Sequence, residues 1–206
     1  MGDRMITLLN IDCMEYMATV PDKYFDLAIV DPPYGININA NMGLAKGQRK
    51  RHVQKDWDDM PPNEKYFEEL FRISHNQIIW GGNYFWLPPT YHFISWYKCT
   101  PKGMSFSDCE YAWTSFNKAN RVYSERNIYD GKIHPTQKPV QLYKWLLRNY
   151  AQPDFRIIDT HLGSGSSAIA AHDFGITEFV GCEIDKDYYD AAVKRFEIHK
   201  MQQKLF

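Results

Sequence analysis

Segments with strand-like and helix-like patterns alternate along most of this 206-residue chain. Short apolar runs of the kind found in buried strands lie at 5–10, 25–31, 76–82, 92–98, 109–116, 155–165 and 176–185, the run at 155–165 ending in a glycine loop. Apolar residues at helical spacing lie at 61–74, 139–151, 166–175 and 187–200. This alternation predicts an α/β fold with a mostly parallel sheet and helices on both faces.

The ends of the predicted strands carry the residues best suited to binding a ligand. Open parallel sheets bind ligands beyond the carboxyl ends of their strands, at a topological switch point. Four residues fall at such ends, namely Asp31, Gly81, Asp159 and Glu183. The sequence contains no internal repeat and no linker, so we expect residues 1–206 to form a single domain.

Charge and cysteine content exclude several classes of protein. The net charge is −1, from 24 basic and 25 acidic residues, which argues against a general polyanion binder but leaves local patches open. The four cysteines lie far apart and form no C-x-x-C pair, so we expect reduced thiols and neither a zinc site nor a disulfide framework. The absence of an 18-residue apolar run and of a signal peptide predicts a cytoplasmic protein with no membrane association.

One segment is strongly basic. Residues 38–55 contain no acid and no apolar periodicity, and we expect 35–56 to form a mobile loop. A solvated surface loop is one interpretation. Contact with a nucleic-acid backbone is the other, favoured by the position of the loop directly after the stretch DPPYG. The predicted contacts are Lys46, Arg49, Lys50 and Arg51.

A glycine loop joins a predicted strand to a helix in the stretch IIDTHLGSGSSA. Gly163 and Gly165 allow a ligand to approach the backbone closely, and the helix N-terminus offers free N–H donors. Glu183, at the end of the next strand, is placed to accept hydrogen bonds from ribose hydroxyls. This pattern predicts a nucleoside-binding site. It fits a nicotinamide-dependent oxidoreductase as well as a methyltransferase, and a purely structural tight turn is the remaining interpretation.

The stretch DPPY, Asp31 to Tyr34, has a chemical explanation if the substrate is the exocyclic amine of a nucleobase. Such an amine is a poor nucleophile because its lone pair is delocalised into the ring. Asp31 and the carbonyl of Pro32, fixed by the restricted φ of proline, can accept both amine hydrogens and free the lone pair. Tyr34 offers a stacking face for a base flipped out of a duplex. The simpler interpretation is a proline turn with Asp31 as a cap and Tyr34 in the core.

Together these blocks resemble the amino-methyltransferases of DNA, in particular the β-type adenine-N6 enzymes, in which DPPY precedes the glycine motif. The resemblance rests on residues 8–35, on NQIIWGGNYF, HFISWYK and FSDCEYAWTSF, and on HPTQKPVQL at 134–142. It implies a Rossmann-like fold with a seven-stranded sheet and a permuted motif order. Cytosine-N4 members usually carry serine at the position of Asp31, so the aspartate favours adenine.

The resemblance also implies roles for individual residues. The residues that hold and activate the target amine would be Asp31, Pro32, Pro33 and Tyr34. The cofactor S-adenosylmethionine (SAM) would be bound by Asp12, Cys13, Asp31, Lys138, Asp159, His161, Gly163, Ser164, Gly165 and Glu183. In this set Asp12 and Cys13 would lie near the adenine of the cofactor, Glu183 at its ribose and Lys138 at its carboxylate. A solvated surface lysine is the alternative for Lys138.

The sequence departs from the family pattern in three ways that matter for function. One is the stretch between CEYAWTSF and HPTQKP, residues 117–133, where family members that read a sequence often hold a longer target-recognition region. Thr160 and His161 stand where proline and phenylalanine are usual, and we expect His161 to be a wall of the cofactor pocket. The chain is short and lacks a separate target-recognition domain, which is typical of small phage-borne or orphan forms. Recognition would then come from the basic loop, from 116–133, from a second subunit in a homodimer, or from another partner.

These observations predict a SAM-dependent adenine-N6 methyltransferase acting on double-stranded DNA without a metal. Three alternatives stay open from the sequence: methylation of the cytosine N4 amine or of an RNA base, nicotinamide-dependent redox chemistry, and an inactive DNA-binding subunit of methyltransferase ancestry. The oxidoreductase leaves DPPY and HPTQKP without a role. The intact DPPY stretch argues against the inactive subunit.

Overall fold

The computed structural model describes residues 4–36, 60–100, 107–126 and 132–203. In these ranges the strands are β1 (Met5–Leu9), β2 (Phe25–Val30), β3 (Ser74–Trp80), β4 (Phe93–Tyr97), β5 (Cys109–Thr114), β6 (Arg121–Ser124), β7 (Arg156–Asp159) and β8 (Glu178–Cys182). The helices are α1 (Cys13–Thr19), α2 (Glu64–Ile73), α3 (Val140–Tyr150), α4 (Ser166–Phe174) and α5 (Lys186–Gln203). The basic loop and its four predicted contacts, Lys46, Arg49, Lys50 and Arg51, lie outside the described residues.

The described strands form one sheet in the order β1-β8-β7-β2-β3-β5-β4-β6. Only β5 pairs antiparallel with its neighbours β3 and β4, and every other pairing is parallel. The mostly parallel α/β sheet expected from the sequence is therefore confirmed. The expected strand count of seven is wrong, because the sheet has eight strands among the described residues. The additional strand is β6, in a segment interpreted from sequence as loop.

Alternation along β2 shows how the sheet separates two hydrophobic cores. Leu27 and Ile29 point into one core, whereas Ala28 and Val30 point into the other. A strand buried on both faces reads as a continuous apolar run, as this one does. The first core also contains buried residues of α3, α4 and α5, and the second contains those of α1 and α2. Helices thus cover both faces of the sheet.

The helix ends follow local signals in the sequence. The side chain of Asn63 caps α2 by accepting a hydrogen bond of 3.2 Å from the backbone N–H of Tyr66. Gly175 ends α4 with a φ of +86°, and its N–H donates to the carbonyl of Ala171. A left-handed residue at this position favours glycine because a Cβ would be strained. These two signals define where the helices begin and end.

Among the described residues, no helix combines the length and the apolar character needed to cross a membrane.

Candidate active site

Three parallel neighbours bring the predicted functional segments to one edge of the sheet. β7 lies between β8 and β2, so the residues that follow these strands meet at their carboxyl ends. A cavity of about 210 Å³ opens there. Seven of the residues predicted for the site line it: Asp31, Pro33, Lys138, His161, Gly163, Ser164 and Glu183. The DPPY segment and the glycine loop therefore share one cavity.

Six other predicted site residues do not line this cavity, namely Asp12, Cys13, Pro32, Tyr34, Asp159 and Gly165. Asp12 caps α1 by accepting a hydrogen bond of 2.7 Å from the backbone N–H of Met14. Asp12 also raises the pKa of the cavity residue His161, although less than burial lowers it. The predicted contact of Asp12 and Cys13 with a cofactor stays a prediction.

The glycine loop is held by the carboxylate of Glu183. The backbone N–H of Gly163, whose φ is +52°, donates a hydrogen bond of 2.8 Å to Glu183 Oε2. The N–H of Asp185 donates to Oε1 at 2.9 Å. A carboxylate oxygen can accept more than one hydrogen bond. Glu183 thus supports the loop and still offers acceptors to hydroxyl groups in the cavity.

Asp159 stabilises the loop and is not among the residues that line the cavity. Its carboxylate accepts hydrogen bonds from the backbone N–H of His161 at 3.0 Å and from the hydroxyl of Ser167 at 2.5 Å. Burial raises the pKa of Asp159 to about 7, against the lowering effect of these hydrogen bonds. The carboxylate joins the end of β7 to the first turn of α4. Its predicted role at the cofactor stays a prediction.

The two unusual residues of the loop form part of a buried polar chain. Thr160 Oγ1 lies 2.6 Å from the hydroxyl of Tyr66 and 2.9 Å from Nδ1 of His161. The edge of the His161 ring also packs near the Tyr66 ring, with centroids 5.4 Å apart. Burial lowers the pKa of His161 to about 4, so the imidazole is neutral at pH 7. Tyr66 therefore provides a polar partner for Thr160 and a packing partner for His161, and the two unusual residues add no charge to the cavity.

Asp31 is held at both carboxylate oxygens. The hydroxyl of Tyr34 donates to Oδ1 at 2.6 Å, and the ammonium of Lys138 donates to Oδ2. Burial raises the pKa of Asp31, with Lys138 acting in the opposite direction. The carboxylate is therefore fixed in orientation and faces the cavity. The simpler interpretation of Asp31 as the cap of a proline turn does not account for these two side-chain partners.

Tyr34 is wedged between the ends of β2 and β3. Its ring stacks on Tyr84, with centroids 4.9 Å apart and planes at 12°. A Cβ on Gly81, whose φ is +73°, would lie 2.2 Å from Cε1 of Tyr34. Only glycine at position 81 leaves room for the ring. A base that stacks on Tyr34 must therefore use the ring face opposite Tyr84 or take the place of Tyr84.

Lys138 is buried, which excludes the solvated surface lysine, and its ammonium is neutralised inside the protein. Besides Asp31, its Nζ contacts Oε2 of Glu110 at 3.1 Å and the hydroxyl of Tyr34 at 3.2 Å. Burial opposes the charge, but Asp31 and Glu110 outweigh it and raise the pKa of Lys138. Lys98 binds the other oxygen of Glu110 at 3.1 Å. The predicted contact of Lys138 with a cofactor carboxylate stays a prediction.

Sequence reasoning missed Glu110 and several cavity residues. Glu110 was treated only as part of a strand, although an acid inside the apolar run CEYAW is a signal of a buried partner. His134, Gln137 and Tyr188 line the cavity as well. The His134 ring packs edge-on against Tyr188 with centroids 4.4 Å apart. The block HPTQKP pointed to the first two, and Tyr188 gave no signal because its helix periodicity is typical of a core residue.

A second charged cluster joins α3, α4 and α5 and contains no cavity residue. Asp173 contacts Nζ of Lys144 at 2.6 Å and Nε2 of His199 at 2.7 Å. Burial acts against the charge, but these two partners outweigh it and lower the pKa of Asp173 to about 2. Candidate metal-ligand atoms of His172, Asp173 and His199 all lie within 4.8 Å of one another. The ammonium of Lys144 already balances the carboxylate, and the expectation of no metal stays a prediction.

The overall fold is that of methyltransferases. The M1.HpyAVI–SAM complex superposes with a TM-score of 0.62 at 19% identity, covering 93% of this chain and all of that chain. The cytosine-N4-specific PvuII DNA methyltransferase also gives a TM-score of 0.62, at 14% identity, covering 95% of this chain and 87% of that chain. At these identities the likeness establishes the fold and leaves substrate and target base open.

The family follows from the sequence itself. Residues 79–194 match the N6/N4 family of DNA methylases, and the chain belongs to this family. The type II methyltransferase M.HinfI of Haemophilus influenzae is 22% identical over 255 residues, covering 94% of this chain and 69% of the relative. The resemblance drawn from DPPY, the glycine loop and HPTQKP is therefore confirmed.

Proposed function

We propose that this protein is a SAM-dependent methyltransferase that methylates the N6 amine of adenine in double-stranded DNA. The observation that carries the proposal is the cavity shared by Asp31 and the loop that contains Gly163 and Glu183. Family membership supports methylation of DNA, and the aspartate of DPPY supports adenine.

The lining of the cavity suits SAM. The carboxylate of Glu183 offers acceptors to ribose hydroxyls, and Gly163 has no side chain to obstruct a ligand at the backbone. Leu162, Ile184 and Tyr188 add apolar surface. Bound SAM supplies a methyl group on a positively charged sulfur. A neutral His161 adds no positive charge that would repel this sulfonium.

The residues of DPPY prepare the amine for methylation. Asp31 accepts one amine hydrogen and the carbonyl of Pro32 the other, which favours a tetrahedral nitrogen with a localised lone pair. Because Asp31 is already fixed by Tyr34 and Lys138, it needs no reorientation when the base arrives. After methylation the nitrogen carries an excess proton, which leaves to Asp31 or to water. The base reaches this place only after it is flipped out of the duplex.

Methylation of the cytosine N4 amine is the second candidate. It is favoured by one observation, the match to a family model that covers both N6 and N4 methylases. Both amines are exocyclic and conjugated, so the same two acceptors serve either base. The roles of the basic loop in DNA contact and of a homodimer in target recognition remain part of the proposal.

Product analysis tests the function directly. The purified protein is incubated with labelled SAM and genomic DNA, and the DNA is digested to nucleosides and analysed by mass spectrometry. We expect N6-methyladenine and no N4-methylcytosine. A matched reaction with RNA in place of DNA controls for nucleic-acid type. N4-methylcytosine alone would replace adenine by cytosine in the proposal, methylated RNA would replace the substrate, and the absence of any methylated base would reject the activity.

A further inference from the structure

Lys138 belongs to a buried series of oppositely charged side chains, in which each acid contacts a lysine. Its side chain is only 2% exposed, and its ammonium contacts one oxygen of Asp31 and one of Glu110. Lys98 binds the second oxygen of Glu110. The indole ring of Trp80 lies beneath the ammonium, with its centroid 5.3 Å from Nζ. Two carboxylates and two lysines thus balance each other next to the cavity.

The surroundings of Asp31 make Lys138 the decisive partner for its ionisation. Burial, Glu110 and, more distantly, Asp159 disfavour a negative charge on Asp31. The hydroxyl of Tyr34 and the ammonium of Lys138 favour it. Lys138 carries the positive charge in contact with Asp31, so its loss would leave two buried carboxylates close together. One of them would then bind a proton at neutral pH.

The ionised form of Asp31 is the form that the proposed chemistry requires. A carboxylate accepts hydrogen bonds at both oxygens, whereas a protonated carboxyl group presents an O–H donor at one of them. A donor directed at the amine nitrogen would compete for the lone pair that has to be freed. The activation of the amine therefore depends on whatever keeps Asp31 deprotonated.

We propose that Lys138, anchored by Glu110, is a positioning residue that holds the Asp31 carboxylate ionised and oriented toward the cavity. This inference rests on the proposed function, because it assigns Lys138 to the amine side of the site. It differs from the role at the cofactor carboxylate that the family resemblance implies. Lys138 acts through Asp31 and makes no bond to the reacting atoms.

The pH dependence of methyl transfer separates the two roles. Single-turnover rates are measured from pH 5 to pH 9 for the wild type, Lys138→Met and Glu110→Gln, and the affinity for SAM is measured by calorimetry. Since a neighbouring charge shifts a carboxyl pKa by about 1–3 units, Lys138→Met should move the acidic limb of the rate profile upward by about 1 pH unit or more. Its loss of rate at pH 7 should be at most about 10-fold for each pH unit of this shift and should shrink toward pH 9, with SAM affinity unchanged.

Glu110→Gln provides a test of opposite sign in a nearly isosteric variant. The amide oxygen of glutamine can still accept a hydrogen bond from Lys138, so the anchor is kept while the negative charge is lost. Removing this anion near Asp31 favours its ionisation, and the acidic limb should move to lower pH. Lys144→Met is the matched control, because Lys144 also pairs with an aspartate but lies outside the cavity, and it should leave the profile unchanged. Near-ultraviolet circular dichroism verifies that each variant is folded.

Three results would overturn the inference. These are a loss in Lys138→Met that is the same at every pH, a fall in SAM affinity in that variant, or an acidic limb in Glu110→Gln that stays in place or moves to higher pH. A wild-type protein that transfers no methyl group would instead reject the proposed function. The failure of the inference and the failure of the function are therefore distinguishable.

Discussion

Asp31 and Asp173 each form an ion pair with a lysine, yet the protein shifts their pKa values in opposite directions. At Asp31 burial is the largest influence, and it raises the pKa in spite of Lys138. At Asp173 the partners Lys144 and His199 outweigh burial and lower the pKa to about 2. The fold therefore resists the charge on Asp31 and favours the charge on Asp173. One cluster belongs to the proposed chemistry and the other holds three helices together.

Replacement of Asp31 should have the largest effect. It should lower the rate of methylation and leave the free energy of unfolding nearly unchanged. Asp31→Asn removes the charged acceptor for the amine, and we expect methyl transfer to fall by about 100–1000-fold. Because burial disfavours the charge that is lost, the free energy of unfolding should not fall by more than about 1 kcal/mol. Labelled-methyl incorporation and urea unfolding measure the two quantities. If the variant remained active, or unfolded much more easily, the contrast between a cluster that serves activity and a cluster that serves stability would be wrong.

Replacement of Asp173 should show the converse. Asp173→Asn should lower the free energy of unfolding by about 1–2 kcal/mol at pH 7 and leave the methylation rate unchanged. An aspartate with a lowered pKa stabilises the fold above the unfolded-state pKa of about 4, and this contribution is lost as pH falls toward 2. The difference between the variant and the wild type should therefore shrink between about pH 4 and pH 2.

Urea unfolding at several pH values tests this expectation, with Asp154→Asn, at an exposed carboxyl before β7, as the control. A difference that persists unchanged at pH 2 would mean that the charge of Asp173 is not its source.

Replacement of Lys144 should have a smaller effect than replacement of Asp173. Lys144→Met removes one partner of Asp173 but leaves His199, and the lysine side chain is 23% exposed. We expect a loss of about 0.5–1 kcal/mol in the free energy of unfolding, less in high salt. Lys186→Met breaks an ion pair whose lysine is 64% exposed, and it should change stability by less than about 0.5 kcal/mol. Equal losses in the two variants would show that burial adds nothing to the Asp173 pair.

The sheet was predictable from sequence where strands are buried on both faces. The apolar run of β2 and the glycine end of α4 gave clear signals, and both elements lie where they were expected. The helix α1 and the strand β6 were missed. α1 has only seven residues, and its cap Asp12 was interpreted only as a cofactor contact. β6 has only four residues and lies at the sheet edge beside β4, so tertiary pairing and not its own pattern defines it.

The site was predictable as far as each motif carries its own chemistry. DPPY, the glycine loop and Glu183 each follow a strand, and strand ends converge in a parallel sheet. The contact between Asp31 and Lys138 had no such signal, because 107 residues separate them along the chain. Glu110 reaches Lys138 only because β5 pairs with β3, an arrangement that strand patterns do not specify. Motifs therefore located the cavity, while the three-dimensional pairing determined which charges meet in it.

The close approach of Gly81 to the Tyr34 ring limits the order in which this protein can evolve. Any side chain gained at position 81 collides with the ring, so position 34 has to lose its ring first. The loss at 34 also removes a partner of the Asp31 carboxylate, and selection for activity opposes it. Glycine at 81 is thus constrained by a residue that is distant in the sequence, and a side chain at 81 is expected only in descendants of this chain that have already lost the ring at 34.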